Sequence, residues 1–90
     1  MKTIIIYKPK SDHGSNVESF VREFRRRHER ARLETIDANS RDGIAMASLY
    51  DIMSYPAILS LRTDGSVLQS WQGTTLPLLD EVAYYTSDHD

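Results

Sequence analysis

The sequence predicts an α/β domain of order β-α-β-α-β-β-α, with a central four-stranded mixed sheet and helices on both faces. Three observations carry that prediction. Thr3 to Tyr7 (TIIIY) is an unbroken β-branched and aromatic run, the pattern of a strand covered on both faces. Val17, Phe20, Val21 and Phe24 then fall at i, i+3, i+4 and i+7, one apolar helical stripe. Asp64-Gly65 stands between two apolar runs, which signals a tight hairpin whose turn positions favour φ > 0. A crossover helix makes the first two strands parallel, and the hairpin makes the last two antiparallel.

The elements follow in order. After the first strand, KPKSDHGSN contains Pro9, Gly14 and small polar residues and reads as a loop. Ser15 or Asn16 is placed to cap the first helix, and Arg and His residues gather at its C-terminal end, where they suit the dipole. Arg32 to Asp37 is a short strand with Leu33 and Ile36 as its buried members. Asn39 or Ser40 caps a second helix over about Arg41 to Tyr50, with Ile44, Ala47 and Leu49 or Tyr50 facing inward. Ala57 to Arg62 and Val67 to Gln72 form the hairpin strands around TDGS. Thr75 caps a last helix with Pro77 in its first turn, Asp80-Glu81 near its positive end, and Leu79, Val82 and Ala83 as its buried stripe.

Ninety residues make one domain, expected over residues 1–86, with 87–90 (SDHD) as a frayed tail. With 40% hydrophobic and 27% charged residues the chain has the composition of an ordinary soluble globular protein. It contains no cysteine, which excludes disulfides, thiolate catalysis, Fe–S clusters and cysteine zinc sites. The apolar run Ile4 to Tyr7 is far short of a signal-peptide core, and no segment approaches the ~20 apolar residues of a membrane span. A cytoplasmic location, with no membrane partner, is therefore expected.

Charge is unevenly spread. Residues 1–32 carry nine Lys and Arg against four acids, a balance of +5, whereas residues 33–90 carry Arg41 and Arg62 against nine acids, a balance of −7. The basic half is dominated by VREFRRRHERAR, residues 21–32. Its arginines point in several directions around a helix, and Phe20 and Phe24 belong to the core stripe, so no aromatics are left to stack bases. Glu18–Arg22 and Glu23–Arg27 are i,i+4 pairs, each worth about 0.2–0.5 kcal/mol. A solvated, self-paired helix is the expectation, against nucleic acid.

One feature resists a purely structural reading. In Tyr50 to Leu61 (YDIMSYPAILSL) a proline opens a strand that otherwise reads as core, although sheets admit proline only at edges, first positions or bulges. Tyr50-Asp51-Ile52-Met53-Ser54-Tyr55-Pro56-Ala57 resembles the Y-x-[IV]-x-[ST]-x-P-[TA] segment of the thioredoxin/glutaredoxin-like fold family. Ile36-Asp37 resembles the acidic end of that family's second strand, and the Asp64-Gly65 hairpin followed by Gly73 also matches. The resemblance spans nearly the whole chain. It implies a cis Tyr55-Pro56 bond and a Tyr55 backbone that pairs with an extended peptide or glutathione beside the loop Ser11-Asp12-His13-Gly14. That loop stands where family redox enzymes carry C-x-x-C, with Ser11 and Gly14 in place of the cysteines. A serine hydroxyl cannot perform disulfide exchange, so redox activity is not implied.

The site expected from these residues is Ser11, Asp12, His13, Gly14, Tyr55, Pro56, Gly73 and Thr74, and the function a redox-inactive module that binds a protein or extended peptide. Ser11, Asp12 and His13 lack triad spacing and an oxyanion hole, so a polar capping loop is the plainer reading. Asp12 and His13 lack the spacing of a metal site, and neither a metal nor a cofactor is expected. A glutathione-dependent enzyme using Tyr7, Ser11 or His13 is the alternative, and an anion or nucleic-acid binder using the arginine helix is a third. The expected state is a monomer or a weak homodimer, with Trp71, Tyr84 and Tyr85 as aromatic anchors or, more commonly, core packing.

Overall fold

The β-branched segment at the start of the chain becomes β1, Lys2–Tyr7, and every residue from Thr3 to Tyr7 is buried. The computed structural model describes residues 1–86; the expected tail, 87–90, lies outside them. The order that follows is α1 (Gly14–Arg27), β2 (Leu33–Asp37), α2 (Arg41–Leu49), β3 (Ala57–Leu61), β4 (Val67–Gln72) and α3 (Leu79–Thr86). The strands make one sheet of order β2-β1-β3-β4. β1 runs parallel to β2 and antiparallel to β3, and β3 is antiparallel to β4.

Strand alternation divides the apolar residues between two cores. Ile5, Tyr7 and Ile58 point to α1 and α3, packing with Val17, Val21, Phe24, Leu33, Val82 and Ala83. Ile4, Ile6, Ala57, Leu59 and Leu61 point the other way, to Ala38 and Ile52, with Met46, Ala47 and Tyr50 of α2 and its C-cap alongside. Two covered faces explain why β1 and β3 are apolar throughout.

Several local expectations are corrected. α1 begins at Gly14 with His13 as N-cap in a helical conformation and no side-chain cap, so neither Ser15 nor Asn16 caps it. The preceding turn already seats the first helical residues, with Gly14 N–H donating to Ser11 C=O at 3.1 Å and Val17 N–H to His13 C=O at 3.0 Å. Ser40 does cap α2, accepting from Gly43 N–H at 3.0 Å. Its inner face, however, is Gly43, Met46, Ala47 and Tyr50, while Ile44 and Leu49 are 61% and 72% exposed. Gly43 sets that rotation: a Cβ there would lie 2.2 Å from the Asp37 carbonyl oxygen, so helix and strand connection touch through backbone. α3 starts at Leu79, later than predicted, so Thr75 and Pro77 precede the helix; Asp80 and Glu81 do occupy its first turn. In β2, Leu33 is buried, but Ile36 is only half-buried.

The hairpin forms through a three-residue loop. Gly65 N–H bonds Arg62 C=O and Arg62 N–H bonds Ser66 C=O, both at 2.9 Å. Only Gly65, at φ +89, takes positive φ; Asp64 instead accepts from Ser66 N–H and Oγ through its carboxylate, which lowers its pKa.

Candidate functional site

The residues singled out in the sequence lie at the end of the sheet where β1 and β4 finish and β3 begins. The Tyr55–Pro56 peptide bond is cis. Pro56 is fully buried, and its carbonyl accepts from Gly73 N–H at 3.1 Å, which ties the start of β3 to the residue after β4. One residue before Gly73, the Gln72 side-chain oxygen accepts from Met53 N–H at 2.9 Å and from Ser54 N–H at 3.3 Å. Among the described residues, the N–H and C=O of Tyr55 have no partner. Tyr55 therefore offers a free donor and acceptor between two segments whose own backbone is held.

Lys8 brings the β1–α1 loop to this segment, its Nζ standing 5.3 Å from the centre of the Tyr55 ring, within cation–π range. The loop itself is wound around Lys8. Ser11 N–H and Oγ both donate to the Lys8 carbonyl, at 3.1 and 2.6 Å, and His13 Nε2 accepts from Lys8 N–H at 3.1 Å. Ser11 thus gives its hydroxyl proton to a carbonyl while His13 spends its lone pair on a backbone amide. No nucleophile–base hydrogen bond joins them, and both side chains bind within the loop instead of capping α1.

Asp12 and Thr74 are exposed. Gly14 is buried in the tightest packing of the loop: a Cβ there would meet the Pro9 oxygen at 2.1 Å and the Pro9 carbonyl carbon at 2.8 Å. The Tyr7 ring lies 6.5 Å from the His13 ring, but its hydroxyl is turned away to Glu18, donating to Oε2 at 3.3 Å. Burial, then the charge and hydrogen bond of Glu18, then Asp37 raise its pKa, so it stays a phenol at neutral pH.

Sequence reasoning missed Lys8, Met53 and Gln72. Lys8 carries no motif, and Gln72 acts through a fold contact 18 and 19 residues back along the chain. Met53, 87% exposed, is a large apolar side chain beside the free Tyr55 backbone. Among the described residues, the arginine helix pairs with itself only through Glu23. Glu23 binds both Arg26 and Arg27, the latter at 2.9 Å, and hydrogen bonding by Arg26 lowers its pKa. Glu18 is held by Tyr7 and not by Arg22. Trp71 packs edge-on against Tyr85 at 5.7 Å, which makes it part of the molecule's own packing, whereas Tyr84 is 62% exposed. No three metal-ligating side chains come together among the described residues.

This architecture is that of the thioredoxin-like fold. The structure is similar to the germline-specific thioredoxin Deadhead of Drosophila melanogaster, with a TM-score of 0.70 and 19% identity over 91% of this chain and 73% of that one. It is also similar to thioredoxin 1 of the thermophilic eubacterium Thermosipho africanus, with a TM-score of 0.67 and 12% identity over 94% of this chain and 89% of that one. The C-terminal domain of Neisseria meningitidis DsbD, in its reduced form, aligns with a TM-score of 0.64 and 17% identity over 93% and 76% of the two chains. No family model matches the sequence, and no curated protein does. At these identities the likeness defines the fold; this chain has that fold without a cysteine.

Proposed function

We propose that the protein is a redox-inactive thioredoxin-like module that binds an extended protein segment along the Tyr55 backbone. The observation that carries this reading is the unpaired Tyr55 N–H and C=O, framed by Met53 and Ser54 on Gln72 and by Pro56 on Gly73. A free donor and acceptor at the entry to a strand is an element that β-strand addition can use. The loop Ser11-Asp12-His13-Gly14 and Gly73-Thr74 flank it, and Lys8, Tyr55 and Met53 supply the side chains that select among segments. With no thiol in the chain, the module has no means of forming a mixed disulfide and is not a thiol–disulfide oxidoreductase. Insulin disulfides should be reduced no faster in its presence than by dithiothreitol alone.

The glutathione-dependent alternative is weakened by the same geometry, since Tyr7, Ser11 and His13 are all engaged elsewhere. The binding reading is tested with peptides selected from a displayed random library and titrated into isotope-labelled protein. Amide shifts should cluster at residues 11–14, 54–57 and 72–75, and N-methylation of the pairing residue of the peptide should abolish them. Shifts confined to residues 22–32 and removed by moderate salt would move the function to the arginine helix.

A further inference from the structure

The two edges of the sheet are treated differently by the chain. β4 is blunted over its first residues, Val67 to Ser70. Its register with β3 slips between Ser60 and Leu61, which leaves a bulge at Leu68. Arg62 Nη1 covers the Val67 carbonyl at 3.2 Å, and the Gln69 side chain accepts from Ser70 N–H at 2.9 Å. These are the devices by which proteins prevent edge-to-edge pairing.

β2 has fewer. Thr3 N–H bonds Arg32 C=O and Ala38 N–H bonds Tyr7 C=O, so the even-numbered residues of β2 turn their backbone to β1. Leu33, Thr35 and Asp37 turn theirs outward. The Leu33 carbonyl takes Arg25 at 3.1 Å and the Asp37 carbonyl takes Ser40 N–H and Oγ. Thr35, exposed at the middle of the strand, has both groups free among the described residues. Beside it lies a groove of about 400 Å³ lined by Tyr7, Glu18, Val21, Arg22, Arg25 and Thr35.

We propose that this edge pairs with the same edge of a second copy, antiparallel, about a two-fold axis through Thr35. The free groups of Thr35 form by themselves one hydrogen-bonded antiparallel pair, in which each threonine N–H meets the carbonyl of the other. The charges select the orientation. One end of the edge is acidic, with Asp37 and Glu18, and the other is basic, with Arg25 and Arg22. An antiparallel copy sets the partner's Asp37 opposite Leu33, whose carbonyl Arg25 already holds, so its carboxylate meets that guanidinium twice in the dimer. A parallel copy would set acid against acid. Such an isologous contact is closed, which keeps an open edge from propagating into a fibre. A single short strand on each side makes a small interface, and the dimer is correspondingly weak and in exchange with monomer.

Sedimentation of the full chain over a concentration series tests this. Association should strengthen with concentration, and Thr35→Pro should abolish it, since that N–H is not used within the sheet and proline is tolerated at such edge positions. Arg25→Glu should weaken it about tenfold at low salt, equivalent to about 1.4 kcal/mol. The unmodified protein gives an independent readout. Thr35 amide exchange should slow as concentration rises, and a mixed labelled and unlabelled sample should show a contact between Hα of Glu34 and Hα of Ile36 in the other copy. A protein that stays monomeric at millimolar concentration overturns the proposal. So does a dimer in which Thr35 amide exchange is independent of concentration.

Discussion

At the residue scale, Gly14 and Tyr7 define what the neighbourhood of the β1–α1 loop tolerates. The resemblance implies that Gly14 replaces the second cysteine, yet its Cβ direction is filled by the Pro9 carbonyl, 2.1 Å away. Installing Ser11→Cys and Gly14→Cys should therefore yield a destabilised protein and not a reductase. Gly14→Ala alone should cost about 1–3 kcal/mol in urea unfolding, the range for overpacking where backbone has to move. Tyr7 gives the alkaline behaviour. Its folded pKa is raised above 10.0 by burial and then by Glu18, so the folded state binds that proton more tightly than the unfolded chain does. Its contribution is complete below the unfolded pKa and is lost as pH rises through the folded one. Tyr7→Phe should flatten the fall in stability above about pH 10, as read from denaturation midpoints across the alkaline range. Neither residue's role shows in its identity or spacing. Gly14 reads as a loop former and Tyr7 as the end of a strand, because the Pro9 carbonyl and Glu18 reach them only after α1 has folded back on the sheet.

At the element scale, α2 shows how a close backbone approach overrides apolar patterning. Its apolar spacing predicts a stripe of Ile44, Ala47 and Leu49 or Tyr50, but Gly43 against Asp37 turns Ile44 and Leu49 to solvent. Gly43→Ala should consequently destabilise the protein, although an open helix site gains about 1 kcal/mol from that change. Ile44→Lys and Leu49→Lys should each shift stability by no more than about 0.5 kcal/mol. Chemical denaturation of the three variants separates the two readings of the helix, since a core-facing Ile44 would give a large loss. α1 behaved differently: Val17, Val21 and Phe24 are buried as their spacing requires, because a fourteen-residue helix has enough repeats to specify one face. A nine-residue helix such as α2 does not.

Across the whole molecule, a buried hydroxyl chain ties the first strand to the last helix. Thr86 Oγ1 donates to Val82 C=O at 2.7 Å, so it accepts from Thr3 Oγ1, which in turn accepts from Ser60 Oγ at 2.9 Å. β1, β3 and α3 meet there, and each hydroxyl proton has one acceptor. Thr3→Val keeps the shape but leaves the Ser60 hydroxyl buried without a partner, and should cost about 1–3 kcal/mol, measured as a lowered denaturation midpoint. The sequence by itself determined the order of elements, the parallel and antiparallel pairings and the absence of thiol chemistry. Those follow from local periodicity, turn residues and the lack of a cysteine, which no packing can alter. It also marked Tyr55-Pro56 as a segment that ordinary strand rules do not explain. Tertiary structure alone decided that Gln72 holds Met53 and Ser54, that Lys8 reaches Tyr55, and that β2 keeps an open edge at Thr35 while β4 is blunted over Val67 to Ser70. Each of these depends on which backbone groups remain after strands from distant parts of the chain have paired, and that remainder is set by register and packing.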